Sequence, residues 1–458
     1  MVAVPSGPLS TSTHTTLQAM PAGRAAARAA GRITFAQGLT VIGVAALIVR
    51  VAVVLATPHF ATIDDSHSYD RMAVSLADHG TLPASQIPLA GGPTAYPPPL
   101  YAVALSLAYR IVGTGSTQAR WEAGRIEEAV LGTIAVILVA LIAARLFGPA
   151  AGLLSGAIAA VYPPLILVGS SLMSESLFIP LVLGAMLTAL VARDSERHSL
   201  RWAVASGVLV GLAALTRSIG ILLLLPALFL VWTERPRWSW GALRSPLVVL
   251  AASLVVILPW AIRNTVEFHE FVPISTETGY ALAGTYNAVA QYDHQYPALW
   301  TPPGIEIDQF LATHPRANEA QIGDSLVTFS RRYIAAHPSY PLVVAYWSAV
   351  RLLNLAGPGY ERFSAEFAGY PPTLAYWSVF AFWILAVLAL LGMAIGGVRR
   401  APWALWACPL LIVLSTLPFA GLTRYRAPAD PFFVILAALA LLALWRRRQG
   451  RRVPSPAA

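Results

Sequence analysis

Two adjacent carboxylates, Asp64 and Asp65, stand in the segment ATIDDSHSYDRMAVSLADHG, just past a long apolar run. In a chain that is 57% hydrophobic and 12% charged, paired acids at such a boundary are costly to place and suited to taking up a proton. A third acid, Glu175 in SSLMSESLF, lies at the mouth of another apolar run, where it serves the same chemistry or caps a helix. Four arginines recur at the ends of apolar runs: Arg217 in LTRSIG, Arg263 in PWAIRN, and Arg424 and Arg426 in TRYRAPADP. Guanidinium binds phosphate in bidentate fashion, so a ring of them beside paired acids suits a reaction at a lipid phosphate. Taken singly, each arginine has a structural reading as a helix C-cap or a snorkelling side chain. Arg50, within the first apolar run near its outer end, is read as structural. A divalent metal would also stabilise a departing phosphate, but His59, His67, His79, His269, His294, His314 and His337 show no ligand spacing, so a metal site is left undefined.

Laid on a helix over 64–80, Asp64, His67, Ser68, Arg71, Ser75 and Asp78 form a polar stripe, and Asp65, Tyr69, Met72, Ala73 and Leu76 an apolar one. Asp64 then faces water and Asp65 heads the buried side with Tyr69. Either acid also suits the cap of that helix, where its charge meets the positive end of the dipole.

The elements that must hold these residues are membrane helices. The chain has 458 residues and a mean hydropathy of +0.63, which matches polytopic membrane proteins and not soluble ones. Ten apolar runs read as spans: 36–56, 126–143, 151–169, 174–192, 202–216, 218–233, 246–262, 375–396, 402–420 and 427–445. An eleventh, 97–112, decides the sidedness of everything after it. If it does not cross, fourteen arginines fall in the inner loops and tail after it; if it crosses, only five do. Because positive charge is retained inside, 97–112 reads as a helix lying in the outer leaflet. Segment 341–356 reads likewise, a helix is expected from Asn318 to Ala336, and the stretch opening with Arg263 reads as extended and turn-rich.

The resulting order is a disordered basic tail 1–35, a membrane core 36–262 with a first outer loop 57–125, a second outer loop 263–374, closing helices 375–445, and a basic tail 446–458. Both termini are then cytoplasmic and most acids lie outside. All 31 basic residues are arginine, and Cys408 is the only cysteine, so no intrachain disulfide forms. The net charge of +9 is spread over loop ends instead of one groove, which speaks against nucleic acid.

The order of several segments resembles the GT-C glycosyltransferases that use lipid-linked sugars, in the bacterial branch related to protein O-mannosyltransferases and aminoarabinose transferases. These are IDDSHSYDRMAVSLADHG, AYPPPLYAVALSLAYRIVG, AARLFGPAAGLLSGAIAAVYPPLILVGSSLMSESLF, GLAALTRSIG, LPWAIRNTVEFHEFVPISTETGY and RYRAPADPFF, covering most of 36–445. The resemblance implies an all-α polytopic fold of about ten membrane helices with interfacial helices at 64–80 and 97–112. It implies a catalytic acid at Asp64 or Asp65, with the spacing to Tyr69 slightly favouring Asp65, although this chain has Asp-Asp where many relatives have Asp-Glu. Tyr69 and Tyr96 would line the substrate pocket. It further implies a polyprenyl-phosphate sugar donor, a glycan, lipid or protein acceptor, inversion at the anomeric carbon, and no nucleotide or organic cofactor. A flippase for a lipid-linked sugar, a glycan polymerase or ligase, and a non-catalytic scaffold are the competing readings. The first needs ionisable residues at span centres, which are nearly absent.

Overall fold

The computed structural model describes residues 34–88, 91–195, 199–233, 236–395 and 398–450. The expected tails therefore lie largely outside the described residues, as do the loop charges Glu196, Arg197, Glu234 and Arg235.

Helix α1 (Phe35–Ala56) opens on a capping box in which the Thr34 hydroxyl accepts the Gln37 N–H and the Gln37 side chain accepts the Thr34 N–H. The acid-bearing loop follows, then α2 (Asp65–His79), α3 (Leu100–Val112) and the long α4 (Thr117–Phe147). Pro149 starts α5 (Pro149–Val161), and the Pro163–Pro164 pair breaks it from the short α6 (Pro163–Val168). Next come α7 (Glu175–Asp194), α8 (Ser199–Thr216), a 3₁₀ turn at Ser218–Leu223, α9 (Leu224–Val231) and α10 (Trp240–Phe268). The second long loop holds α11 (Glu277–Thr285), α12 (Ala288–Tyr292), α13 (Gly304–Thr313), α14 (Glu319–Ala336), α15 (Tyr340–Leu352) and α16 (Gly357–Ala368). The chain closes with α17 (Pro372–Ile395), α18 (Trp403–Thr416), a 3₁₀ turn at Thr423–Arg426 and α19 (Asp430–Gly450).

All ten expected spans fall on helices. Six of them, α1, α4, α7, α8, α10 and α17, are long and apolar enough to cross a membrane by themselves. The runs over α5, Ser218–Val231 and α18 form shorter apolar helices, and the tenth falls on α19, which opens on Asp430 and ends in arginines. Helix α3 has 13 residues, about 20 Å at 1.5 Å per residue and short of the ~30 Å hydrocarbon core. That length fits a segment that lies along the membrane. The helix expected from Asn318 is present, with Asn318 as its cap. The extended reading from Arg263 onward is corrected. Helix α10 runs on to Phe268 because Ala261, Asn264 and Phe268 are buried at helical spacing, and the chain turns only at His269, whose φ is 56°.

Close helix contacts are made by small residues, as apolar helices in a membrane require. A Cβ on Gly207 of α8 would sit 2.3 Å from the Val249 carbonyl oxygen of α10, and one on Gly392 of α17 would sit 2.0 Å from the Leu436 carbonyl oxygen of α19. The main core joins α4, α5, α7, α8, α9, α18 and α19. A second cluster carries the acid-bearing helix: Tyr69, Met72 and Ala73 of α2 pack on Tyr101, Ala102, Leu105 and Tyr109 of α3. The apolar stripe read from the sequence is the buried face. Asp70 also lies on that face, where Arg120 (3.0 and 2.9 Å) and the Tyr109 hydroxyl (2.7 Å) satisfy it.

Four arginines are almost wholly buried, and each donates to at least one backbone carbonyl. Arg50 bonds the Ala46, Ala159 and Ala160 carbonyls, the last two where proline has ended α5. Arg125 reaches the Val54, Thr57 and Ser170 carbonyls. Arg351 reaches those of Pro297, Ala298 and Gly421. Arg426 reaches that of Leu352. Arg50 thereby takes up carbonyls left free where proline ends α5.

Candidate active site

Asp64 and Asp65 lie side by side at the start of α2, and both line a cavity of about 230 Å³. Asp64 occupies the N-cap position but does not cap: its side chain makes no capping bond, and its φ is +53°. Ser66 supports the turn instead, its hydroxyl accepting the Ile63 N–H and donating to the Ile63 carbonyl, both at 2.8 Å. A non-glycine residue in this backbone region costs on the order of 1–3 kcal/mol and persists where its surroundings fix it. The carboxylate freed from capping faces the cavity. Burial and the neighbouring Asp65 push the Asp64 carboxyl above its usual range, with Arg424 opposing.

Asp65 is engaged differently. It pairs with Arg424, which comes from the 3₁₀ turn at Thr423–Arg426, 359 residues along the chain. The Asp65 side chain stays 37% exposed, whereas that of Arg424 is 8% exposed, so the acid remains open to a reactant while its partner is clamped.

Arg217 enters from the break between α8 and the following 3₁₀ turn. It meets Glu175 at 2.8 Å and the Ser174 hydroxyl at 3.0 Å. Tyr425 separates the two arginines, its ring centroid 5.4 Å from the Arg217 guanidinium carbon and 5.1 Å from that of Arg424. The cavity therefore presents two guanidiniums around an aromatic ring, facing two acids. Tyr69 and Tyr96 also line it. Tyr69 is held edge-on against Tyr101 at 4.8 Å, and Tyr101 donates to the buried Glu128 at 2.7 Å.

Three expected site residues lie outside the cavity lining. Glu175 is buried and pairs with Arg217. Arg263 donates to the Thr94 carbonyl at 2.9 Å and stacks on Trp260 at 5.1 Å. Arg426 pairs with Asp430 at 2.8 Å and lies over the Phe382 ring at 3.4 Å, a structural tie between α17 and α19. Conversely, Glu277, Tyr425 and Trp300 line the cavity without having been singled out as site residues. Burial pushes the Glu277 carboxyl up, Arg217 pulls it back, and Asp65 adds to the rise. Its one sequence signal is a lone acid in TETGY, a stretch read as extended.

Glu319 connects the two long loops. Its carboxylate accepts the Ser85 hydroxyl (2.5 Å), the Thr94 hydroxyl (2.8 Å), the Ala95 N–H (2.8 Å) and the Thr276 hydroxyl (2.6 Å). These partners flank Tyr96 on one side of the cavity and Glu277 on the other. Among the described residues no three of His, Cys, Asp and Glu come together as a metal-binding group. Asp65 is engaged by Arg424.

A frame of apolar helices brings acids and arginines together in one cavity, and comparison with known proteins bears on what that frame is. Residues 97–262 match the family described as dolichyl-phosphate-mannose-protein mannosyltransferase. Among solved structures, the apo oligosaccharyltransferase of Archaeoglobus fulgidus aligns with a TM-score of 0.54 at 15% identity, covering 90% of this chain and 52% of that one. The oligosaccharyltransferase AglB of the same organism, solved with an inhibitory peptide and a dolichol-phosphate, aligns at 0.51 and 14% identity, covering 91% and 52%. ArnT from Cupriavidus metallidurans bound to undecaprenyl phosphate aligns at 0.42 and 16% identity, covering 91% and 79%. No match was found among curated proteins. The chain spans about half the length of the oligosaccharyltransferases, and the shared frame is the GT-C fold.

Proposed function

We propose that this protein transfers a sugar from a polyprenyl-phosphate donor to an acceptor hydroxyl at the outer face of the cytoplasmic membrane, with inversion. The observation that carries the reading is the meeting of Asp64 and Asp65 with Arg217 and Arg424 in one cavity. A carboxylate takes the hydroxyl proton as the acceptor oxygen attacks the anomeric carbon. The bond from that carbon to the phosphate oxygen breaks, and polyprenyl phosphate leaves with the electron pair. Arg217 and Arg424 meet the charge that develops on it. Phosphate is a weakly basic leaving group, so no residue need protonate it.

Asp64 is proposed as the base and Asp65 as the anchor of Arg424. The expectation from spacing favoured Asp65, but its ion pair ties up the charge a base would use, and Asp64 has no such pair among the described residues. Glu175 is proposed to hold Arg217 in place. Support for transfer over transport comes from the cavity lining, which is built from loop segments and helix ends. Both termini are proposed to be cytoplasmic.

The test is transfer from radiolabelled polyprenyl-phosphate mannose by the full chain in nanodiscs, alongside the Asp64→Asn and Asp65→Asn variants. Transfer lost in Asp64→Asn with donor binding kept supports the assignment; full activity in both variants removes the pair from the chemistry.

A further inference from the structure

A groove of about 400 Å³ adjoins the cavity and takes no part in the chemistry above. Thr278 lines both spaces, and the Ser275 hydroxyl on the groove side bonds the Ser218 hydroxyl on the cavity side at 2.9 Å. The wall between them is thus one segment of chain, Ser275–Thr278, carrying Glu277 into the cavity.

The groove floor lies where α11 meets α14. A Cβ on Gly279 would be 2.2 Å from the Gly323 carbonyl oxygen, so the helices touch backbone to backbone and leave a shallow, side-chain-free base. Phe271 lines the groove and is 78% exposed. Glu270 and Asp324 line the same groove, and neither has an ion-pair partner among the described residues. An open aromatic face, two free carboxylates and the Ser275 and Thr278 hydroxyls match a sugar ring, which has an apolar C–H face and vicinal hydroxyl donors. The other wall, 270–276, is non-helical and has backbone groups that an extended peptide could pair with, so a peptide probe is included in the test below.

We propose that this groove is the acceptor subsite and that it binds a saccharide chain, whose terminal hydroxyl passes the Ser275–Thr278 wall to reach the cavity. The proposal rests on the transferase reading given above and names the acceptor class for it.

The test uses the full chain in nanodiscs. Binding of linear gluco-, manno- and galacto-hexasaccharides is measured by saturation-transfer NMR, with a Ser/Thr-containing peptide as the other probe. Wild type is compared with Phe271→Ala and with Asp324→Asn, a conservative change at an exposed helical position. The expected result is binding of at least one hexasaccharide, weakened about tenfold in each variant, with affinity for polyprenyl-phosphate mannose within about twofold of wild type. No hexasaccharide bound by wild type, or equal affinity in all three proteins, overturns the proposal; in the latter case Phe271 is only a membrane anchor. Peptide binding that is lost in the variants overturns it in favour of a protein acceptor. Because these readouts are of binding, groove occupancy remains measurable if no sugar is transferred, a result that would defeat the transferase reading instead.

Discussion

Asp64 and Asp65 are chemically identical and adjacent, yet their surroundings separate them. Asp64 has its carboxyl raised by burial and by its neighbour, whereas Asp65 is paired with Arg424. Asp64→Asn is expected to lower kcat by about 10²–10⁴, the usual worth of a general base, with donor affinity kept; single-turnover transfer measures this. The pH profile follows in sign. A base must be unprotonated, so kcat/KM falls on acidification through a pKa above the ordinary aspartate value of about 3.9. Asp65→Asn removes a negative neighbour and frees Arg424, and both effects lower the Asp64 pKa. The acid limb of kcat/KM should therefore move to lower pH in that variant, and an unmoved limb would show that Asp64 is not the titrating base. Arg217→Ala removes a charged donor worth about 1.5–3 kcal/mol, or roughly 10- to 150-fold in donor KM. Arg263→Ala, held at the Thr94 carbonyl, should change donor KM much less.

At the scale of elements, the cavity is made by segments that no single helix specifies. Glu319, at the first turn of α14, gathers donors from both long loops. Glu319→Ala leaves the buried Ala95 N–H without its acceptor, a cost of about 1–3 kcal/mol before the three hydroxyls are counted. The expected outcome is a lower melting temperature in nanodiscs together with a raised acceptor KM; Glu319→Gln, which keeps acceptor oxygen, should recover part of both. The same reasoning explains the buried Arg50. Proline at 149, 163 and 164 interrupts apolar helices, and Arg50 bonds two of the carbonyls at the end of α5. Gly132 faces Arg50, and a Cβ there would come within 2.6 Å of its Nε. A bulkier residue at 132 would push the guanidinium off those carbonyls.

For the whole molecule, sidedness is the testable claim. The arginine distribution puts Gly115 outside and Arg193 inside. In a Cys408→Ala background, Gly115→Cys should react with a membrane-impermeant maleimide in intact cells, and Arg193→Cys only after permeabilisation. Both positions are exposed, and a Cβ on Gly115 meets no atom within 4 Å. The reverse pattern would place the acids on the cytoplasmic side and defeat the outer-face assignment.

Hydropathy and charge placement were enough to read the helical frame, the short helix within 97–112, the helix at 64–80 and the two acids that open it. Those features rest on periodicity and on the cost of burying charge, which are local properties of the chain. The extended reading after Arg263 failed because packing of Asn264 and Phe268 outweighed the turn-like composition. Which arginines reach the acids was decided only by tertiary structure. Arg217, Arg263, Arg424 and Arg426 look alike at helix ends, but the folded chain sends two to the cavity and two to structural ties. Glu277 was missed for the same reason: its place opposite Asp65 depends on loops joined through Glu319, a contact spanning more than two hundred residues. Local sequence fixes where a charged side chain can leave a helix, and long-range packing determines what it meets.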